Sequence, residues 1–273
     1  MLFTSGTTGN PKGVIINQDS YCHVAKQLIK KLNQKSSDLE LLSMPFSHSF
    51  GLVRLRSAFI CGSSTLITNG LKDFPEIYSF SSRKITGLSL VPSAISIIKI
   101  LMKNKVKKFS KNINYFEIGS SFLDKDLDSW IRSNFYNAKV YHHYGMTEAS
   151  RSFLRSRTKK ENIDFPNNWI GEPLDGCEYK VDYFSESKNV GELLIKGKNL
   201  FSGYLNSNKY LNKSGWYRTK DICEHKDNKI FLLGRLDNQI NVGGEKIQAE
   251  EIEKLVLDLD DVEDVTAFAI QDK

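Results

Sequence analysis

Apolar positions along this chain fall into two regimes. In the first, short β-branched or apolar runs alternate with stretches of helical spacing. Val14-Ile15-Ile16 reads as a strand. Val24, Leu28, Ile29 and Leu32 then recur at helical intervals behind Ser20, a residue suited to cap a helix. Leu41-Leu42-Ser43-Met44 predicts a buried strand stopped by Pro45, and the apolar stretch 57–60 predicts a helix. Residues 64–68 and 86–91 predict two more strands, the second closed by Pro92, and Ile95, Ile97, Ile98, Leu101 and Met102 suit a helix after it. Strands over 115–118 and 138–141 flank a helix around 127–135. This alternation implies an α/β fold with a mostly parallel sheet.

The second regime begins near Pro166. Short strands crowd together over 178–183, 192–196 and 229–233, with Gly and Asn turns between them, which predicts a small β-rich subdomain. From Gly234 the pattern changes again. Ala249-Glu250-Glu251 open a helix with Ile252, Leu255, Val256 and Leu259 on one face, and 262–270 predicts a strand. The expected organisation is a core over 1–233, α/β to about 165 and β-rich from about 166, followed at 234–273 by the start of a small α+β C-terminal domain.

Composition narrows the partners. The 273 residues are 40% apolar with a net charge of +6, and the excess is partly local, at Lys103, Lys105, Lys107 and Lys108. No aromatic-interleaved basic motif accompanies that cluster, so a solvated lysine face is expected and no nucleic-acid partner. Cys22, Cys61, Cys177 and Cys223 are widely spaced and read as small hydrophobes of a reducing compartment. No charged-then-apolar leader or long apolar run stands in the chain, so the expectation is a cytoplasmic protein with no membrane span.

The densest chemistry is at Thr4-Ser5-Gly6-Thr7-Thr8-Gly9-Asn10-Pro11-Lys12-Gly13. Glycines let backbone N–H groups approach an anion, the Thr and Ser hydroxyls add donors, and Lys12 adds a point charge. Such a segment suits a polyphosphate; the plain alternative is a Gly/Ser/Thr-rich surface loop. It lacks the G-K-[ST]-then-helix order of the common triphosphatase loop, because a strand follows it. Downstream, Tyr144-Gly145-Met146-Thr147-Glu148 follows a strand of the parallel layer, where ligands sit in open α/β sheets. Tyr144 can stack on a base, Thr147 can donate to a phosphate and Glu148 can hold Mg²⁺. The alternative there is a helix-capping Thr and Glu.

Together these segments resemble the phosphate loop and second signature of the adenylate-forming superfamily: acyl-CoA synthetases, peptide-synthetase adenylation domains and luciferases. The resemblance continues in family order. Gly191-Glu192-Leu193 with Gly203-Tyr204 is similar to a scaffold motif, expected in the β-rich subdomain. Trp216-Tyr217-Arg218-Thr219-Lys220-Asp221 resembles a ribose-binding motif whose aspartate is Asp221; Lys220 stands where the family has glycine, so either its side chain perturbs a turn needing φ > 0 or it is a tolerated surface change. Residues 234–247 resemble the hinge motif, which implies Arg235 as a ribose or phosphate contact and Asp237 as the hinge. As a plain alternative, Arg235 and Asp237 are a surface pair. Pro45–Gly51 resembles the H-x-x-G segment of acyl- and aryl-CoA ligases, which places His48 and Gly51 at the substrate pocket with His143. Gly119 and Ser120 fall where the family lines its nucleotide and acyl site.

The resemblance implies ATP-dependent activation of a carboxylic acid to an acyl-adenylate with release of pyrophosphate. Acyl transfer to a thiol follows, on coenzyme A or on the phosphopantetheine of an acyl carrier protein. It implies Thr147, Glu148 and Lys12 as catalytic residues, Mg²⁺ on Glu148, and nucleotide contacts from Thr4, Ser5, Gly6, Thr7, Thr8, Gly9, Lys12, Gly119, Ser120, Tyr144, Gly145, Asp221 and Arg235. The alternatives are an amino-acid adenylation domain, disfavoured because the acids nearest His48 are Glu40 and Asp73, and a non-catalytic nucleotide-binding fragment. Only Met1-Leu2-Phe3 precede the loop, and the family's catalytic lysine would fall beyond Lys273. The chain therefore reads as a truncated piece, expected to adenylate weakly by itself.

Overall fold

The computed structural model describes residues 1–4, 11–71, 84–119, 123–157, 166–205, 211, 214–242, 245–257, 259, 261–262 and 264–268. The chain divides into two compact units, Met1–Glu178 with Lys196–Tyr210, and Tyr179–Ile195 with Leu211–Lys273.

The first unit is built on a seven-stranded sheet. Its strands are β3 (Leu39–Leu42), β4 (Ser64–Ile67), β5 (Gly87–Leu90), β6 (Tyr115–Ile118), β7 (Lys139–Tyr144), β8 (Phe153–Ser156) and β9 (Glu172–Pro173), in the order β4-β3-β5-β6-β7-β8-β9. From β4 to β7 the pairing is parallel; β8 and β9 are antiparallel additions at one edge. The expected α/β class with a mostly parallel sheet is what forms. The helices are α1 (Gln18–Leu32), α2 (Ser49–Cys61), α3 (Pro92–Met102), α4 (Val106–Ser110) and α5 (Lys125–Asn134). Two details differ from the sequence reading. Asn17, not Ser20, caps α1: its side chain accepts from the Ser20 N–H, while the Ser20 hydroxyl donates to the Leu200 carbonyl. Helix α2 starts well before the apolar stretch 57–60, directly after His48.

Alternation along the strands gives the sheet two unlike faces. Leu41, Leu88, Leu90, Phe116, Ile118 and Val140 form one core with α3, α4 and α5. The alternate positions Glu40, Ser89, Tyr115 and Glu117 are polar and buried. Gly87 is required by this arrangement, because a Cβ there would collide with the Tyr115 ring.

A small sheet completes the first unit. Strand β1 (Leu2–Thr4) pairs antiparallel with β2 (Lys12–Ile15), which also pairs with β12 (Gly203–Tyr204). The segment between Thr4 and Lys12 therefore joins two strands that pair in register at those residues. Gly203-Tyr204, expected within the β-rich part, instead extends this sheet, because its backbone pairs with Val14 and Ile15.

The second unit carries a four-stranded sheet, β10 (Cys177–Tyr183), β11 (Val190–Gly197), β13 (Tyr217–Lys226) and β14 (Lys229–Arg235), in that order. A two-residue turn links β13 to β14, with Asp227 at φ 50° and Asn228 at φ 57°. Asn and Asp tolerate this left-handed pair, the geometry that matches strand twist in a tight hairpin. The hairpin β15 (Gln239–Val242) and β16 (Glu245–Gln248) follows, then α6 (Ala249–Leu257). Residues 264–268, expected within a strand, form none; no neighbouring strand pairs with them among the described residues.

Candidate active site

Three constellations matter, two in the first unit and one in the second. The first surrounds Tyr204. Its hydroxyl donates to Glu148 Oε1 at 2.9 Å, and Lys12 Nζ lies 5.9 Å from its ring centroid, at the outer range of a cation–π contact. Strand pairing explains the convergence. Strand β12 lies beside β2, so the lysine of the Gly/Thr-rich loop and the tyrosine of the scaffold motif become neighbours. The turn after β7 brings Glu148 to the same tyrosine. No helix follows that turn: Ala149 bridges to Leu200 and β8 begins at Phe153, so the helix-capping reading of Thr147 and Glu148 is excluded. Thr4 sits opposite Lys12 in the hairpin. Ser5, Gly6, Thr7, Thr8, Gly9 and Ser120 lie outside the described residues.

The second constellation is a cavity of about 450 Å³. Residues His48, His143, Gly145 and Thr147, all singled out in the sequence, line it together with Phe50 and Arg151, which were not. Gly51 stands in the first turn of α2. A Cβ there would collide with the Met44 and Pro45 carbonyls, so glycine lets the helix close on the preceding strand end. At Gly145, a Cβ would collide with the Arg151 backbone. Gly119 is the counterpart of His143: a side chain at Gly119 would occupy the space of the imidazole.

Beneath the cavity lies a buried ionic cluster. Arg151 Nε is 3.0 Å from Glu117 Oε1, His143 Nδ1 is 2.8 Å from the same oxygen, and Arg54 Nε is 3.5 Å from Glu117 Oε2. Arg54 also forms a bidentate pair with Glu40, which accepts from Ser89 and Tyr115 as well. The Arg54 and Glu117 side chains are 0% exposed and Arg151 1%. Burial alone would raise the Glu117 pKa; Arg151, then His143 and Arg54, outweigh it and hold the carboxyl far below the ordinary range. Burial, then the Arg151 charge, lower the His143 pKa against the pull of Glu117, so the imidazole is neutral at neutral pH. These charges were legible in principle. Glu40 and Glu117 sit in otherwise apolar strands, and an acid there requires a buried partner.

The third constellation is in the second unit. The tight turn and a β-bulge between Ile222 and Cys223 place Asp221 directly opposite Arg235. Arg235 Nη1 is 3.0 Å from Asp221 Oδ1, and its Nε is 2.9 Å from Asp237 Oδ1. Asp237 occupies a 3₁₀ turn, Leu236–Asn238, between β14 and β15. Lys220 has φ 64°, and its ammonium reaches to 3.5 Å from Asp237 Oδ2. The turn does take a glycine-like conformation at this position, and a lysine holds it. Burial would raise the Asp237 pKa, but the Arg235 hydrogen bond and charge, with Lys220, hold it low.

The chain belongs to the AMP-binding enzyme family, which it matches over residues 1–205. It is 29% identical to 2-succinylbenzoate–CoA ligase of Haemophilus influenzae, with 100% of this chain and 56% of that protein covered. The corresponding enzyme of Staphylococcus epidermidis is 30% identical with the same coverage. Among solved structures, o-succinylbenzoate coenzyme A synthetase of Bacillus subtilis in complex with AMP superposes with a TM-score of 0.84 at 25% identity, over 100% of this chain and 56% of that one. The Bacillus enzyme with ATP and magnesium also gives 0.84, at 24% identity, over 100% of this chain and 57% of that one. The chain spans about half the length of the curated relatives it matches. No described helix is long and apolar enough to cross a membrane.

Proposed function

We propose that this chain forms the nucleotide- and acid-binding part of an AMP-forming acid–thiol ligase. ATP and a carboxylic acid give an acyl-adenylate and pyrophosphate, and the acyl group then passes to a thiol of coenzyme A or of a carrier-protein phosphopantetheine. One observation carries the reading. The turn after β7 lines the cavity with Gly145 and Thr147 and, one residue on, holds Glu148 at Tyr204, beside Lys12. An acid in the cavity and a polyphosphate at Lys12 are thereby served by one short segment.

The residues fit a magnesium–nucleotide. Mg²⁺ is ordinarily held by one or two carboxylates plus substrate phosphates, and Glu148 supplies one, oriented by the Tyr204 hydroxyl. When bound, the ion neutralises charge on the departing pyrophosphate. Lys12 adds a fixed positive charge there, and Thr147 a hydroxyl donor. Asp221 and Arg235 are proposed for the nucleotide's ribose and phosphate, and Asp237 as the hinge. Among the described residues, no Asp or Glu lines the cavity to pair a substrate ammonium, which disfavours amino-acid adenylation. The four cysteines, all free thiols, suit the cytoplasm proposed for the protein.

Titration calorimetry with Mg–ATP tests the binding half. Glu148→Gln and Lys12→Ala should each weaken binding by roughly 10- to 100-fold, the range of one charge-assisted contact. Unchanged affinity in both would overturn the assignment.

A further inference from the structure

The lysine cluster stands in a stretch without counter-charge. Between Glu76 and Glu117 there is no acid, while eight Lys or Arg residues occur, more than the whole chain's net charge of +6. Lys99, Lys103, Lys107, Lys108 and Lys111 are exposed on α3, on α4 and directly after each. Among the described residues, none of these five is in a salt bridge.

Helix α3 has apolar residues on both sides. Ile95, Ile98 and Met102 enter the core, joined by Val106 and Phe109 of α4. Ile97, Ile100 and Leu101, spaced i, i+3 and i+4 on the outer side, are 46%, 67% and 50% exposed. A surface helix ordinarily turns polar residues outward there. The core is filled from the inner side, so it gives no reason for three large aliphatic side chains outside. They lie across the sheet from Glu40 and Glu117, away from the ionic cluster beneath the cavity.

We propose that this face docks on an anionic lipid surface, with Ile97, Ile100 and Leu101 among the acyl chains and the lysines at the headgroups. Charge and hydrophobicity together select that partner. Clusters of about four to eight Lys/Arg on an amphipathic element are drawn to anionic headgroups. A lysine stem follows apolar surface while its ammonium stays in water, so Lys99 and Lys103 can border the inserted side chains. A nucleic acid is bound by charge and base stacking, which gives the outer aliphatic side chains no role. With 11 residues, α3 lies on the bilayer and does not span it. The proposal is independent of the ligase reading.

Flotation of the full chain with vesicles at low salt tests it. Vesicles of phosphatidylcholine with about one-quarter phosphatidylserine should bind at least ~10-fold more protein than phosphatidylcholine alone. Lys107→Gln with Lys108→Gln should lower the partition coefficient by roughly 10- to 30-fold. Ile100→Ser with Leu101→Ser keeps the charge and should lower it by at least ~10-fold. Phe59→Ser, which removes a 77% exposed aromatic side chain on α2, should leave it unchanged. No binding to the anionic vesicles overturns the proposal, as does an equal loss in Phe59→Ser. Unchanged partition in the Ile100/Leu101 variant also overturns it, and assigns the lysines to a soluble polyanion such as a nucleic acid or an acidic protein.

Discussion

Replacing Glu117 by Gln removes one negative charge from the centre of the buried cluster and changes almost nothing in shape. The unmodified cluster holds two guanidinium groups, Arg54 and Arg151, against two carboxylates, Glu40 and Glu117. Glu40 is committed to Arg54, so the amide would leave Arg151 without an ionic partner at 1% exposure. Breaking a buried pair from one side costs about 3–5 kcal/mol, out of a total stability of about 5–15 kcal/mol. The amide oxygen can still accept one hydrogen bond, which points to the lower end, ~3 kcal/mol. For a unit of this size that corresponds to a fall in Tm of roughly 6–12 °C. Urea unfolding followed by tryptophan fluorescence reads it directly. Trp130 and Trp169 lie in the first unit and Trp216 in the second, so a Trp216→Phe background isolates the signal. Adding Arg151→Met should recover part of the loss, with a coupling of ~1–3 kcal/mol. A Glu117→Gln cost below about 1 kcal/mol would refute the reasoning, since it would mean the guanidinium does not depend on that charge.

Other outcomes follow from the same geometry. His143 has a folded pKa below its unfolded value, so the unfolded chain binds the extra proton first. Its contribution is intact above about pH 6.5 and declines as pH falls below that, by at most ~1.4 kcal/mol per pH unit. Denaturation at pH 7.5 and 5.5 should show this loss shrinking in His143→Gln; an identical loss would contradict it. Lys220 holds φ 64° at a cost of ~1 kcal/mol to a residue with a Cβ. Its half-exposed pair with Asp237 returns well under 1 kcal/mol. Lys220→Gly should therefore be more stable than Lys220→Ala by ~1 kcal/mol in urea unfolding, and equal values would refute the strain. Gly119→Ala should displace the imidazole, seen as a changed ¹⁵N spectrum of His143; an unaltered spectrum would contradict the packing.

What the sequence disclosed follows periodicity and local chemistry. The α/β layer was legible because β-branched runs and helical spacing alternate from Val14 to Tyr141, and each run did become a strand or helix. The loop between Thr4 and Lys12 was legible as a strand-to-strand connection because Val14 and Ile15 follow it. Contacts distant in sequence were not legible. Tyr204 is 56 residues from Glu148, and only the pairing of β12 with β2 brings it to Lys12 as well. The ionic cluster was also missed, since Glu40, Arg54, Glu117 and Arg151 come from separate elements. Their one local trace is an acid on an apolar strand. The Asn17 cap was overlooked because Ser20, three residues on, offers the same chemistry to a reader of sequence. Residues 264–268, within the strand expected over 262–270, show the converse: β propensity alone does not make a strand where no partner pairs among the described residues.

In the proposed function, acid activation depends on the segment that joins the cavity to Tyr204 and Lys12. The most direct measurement is acid-dependent exchange of labelled pyrophosphate into ATP by the full reading frame, compared with Glu148→Gln. Exchange should require both Mg²⁺ and an acid and fall by at least ~100-fold in the variant, about 2.7 kcal/mol of lost transition-state stabilisation. Exchange unaffected by Glu148→Gln, or no exchange with any acid from a protein that binds Mg–ATP, would contradict it.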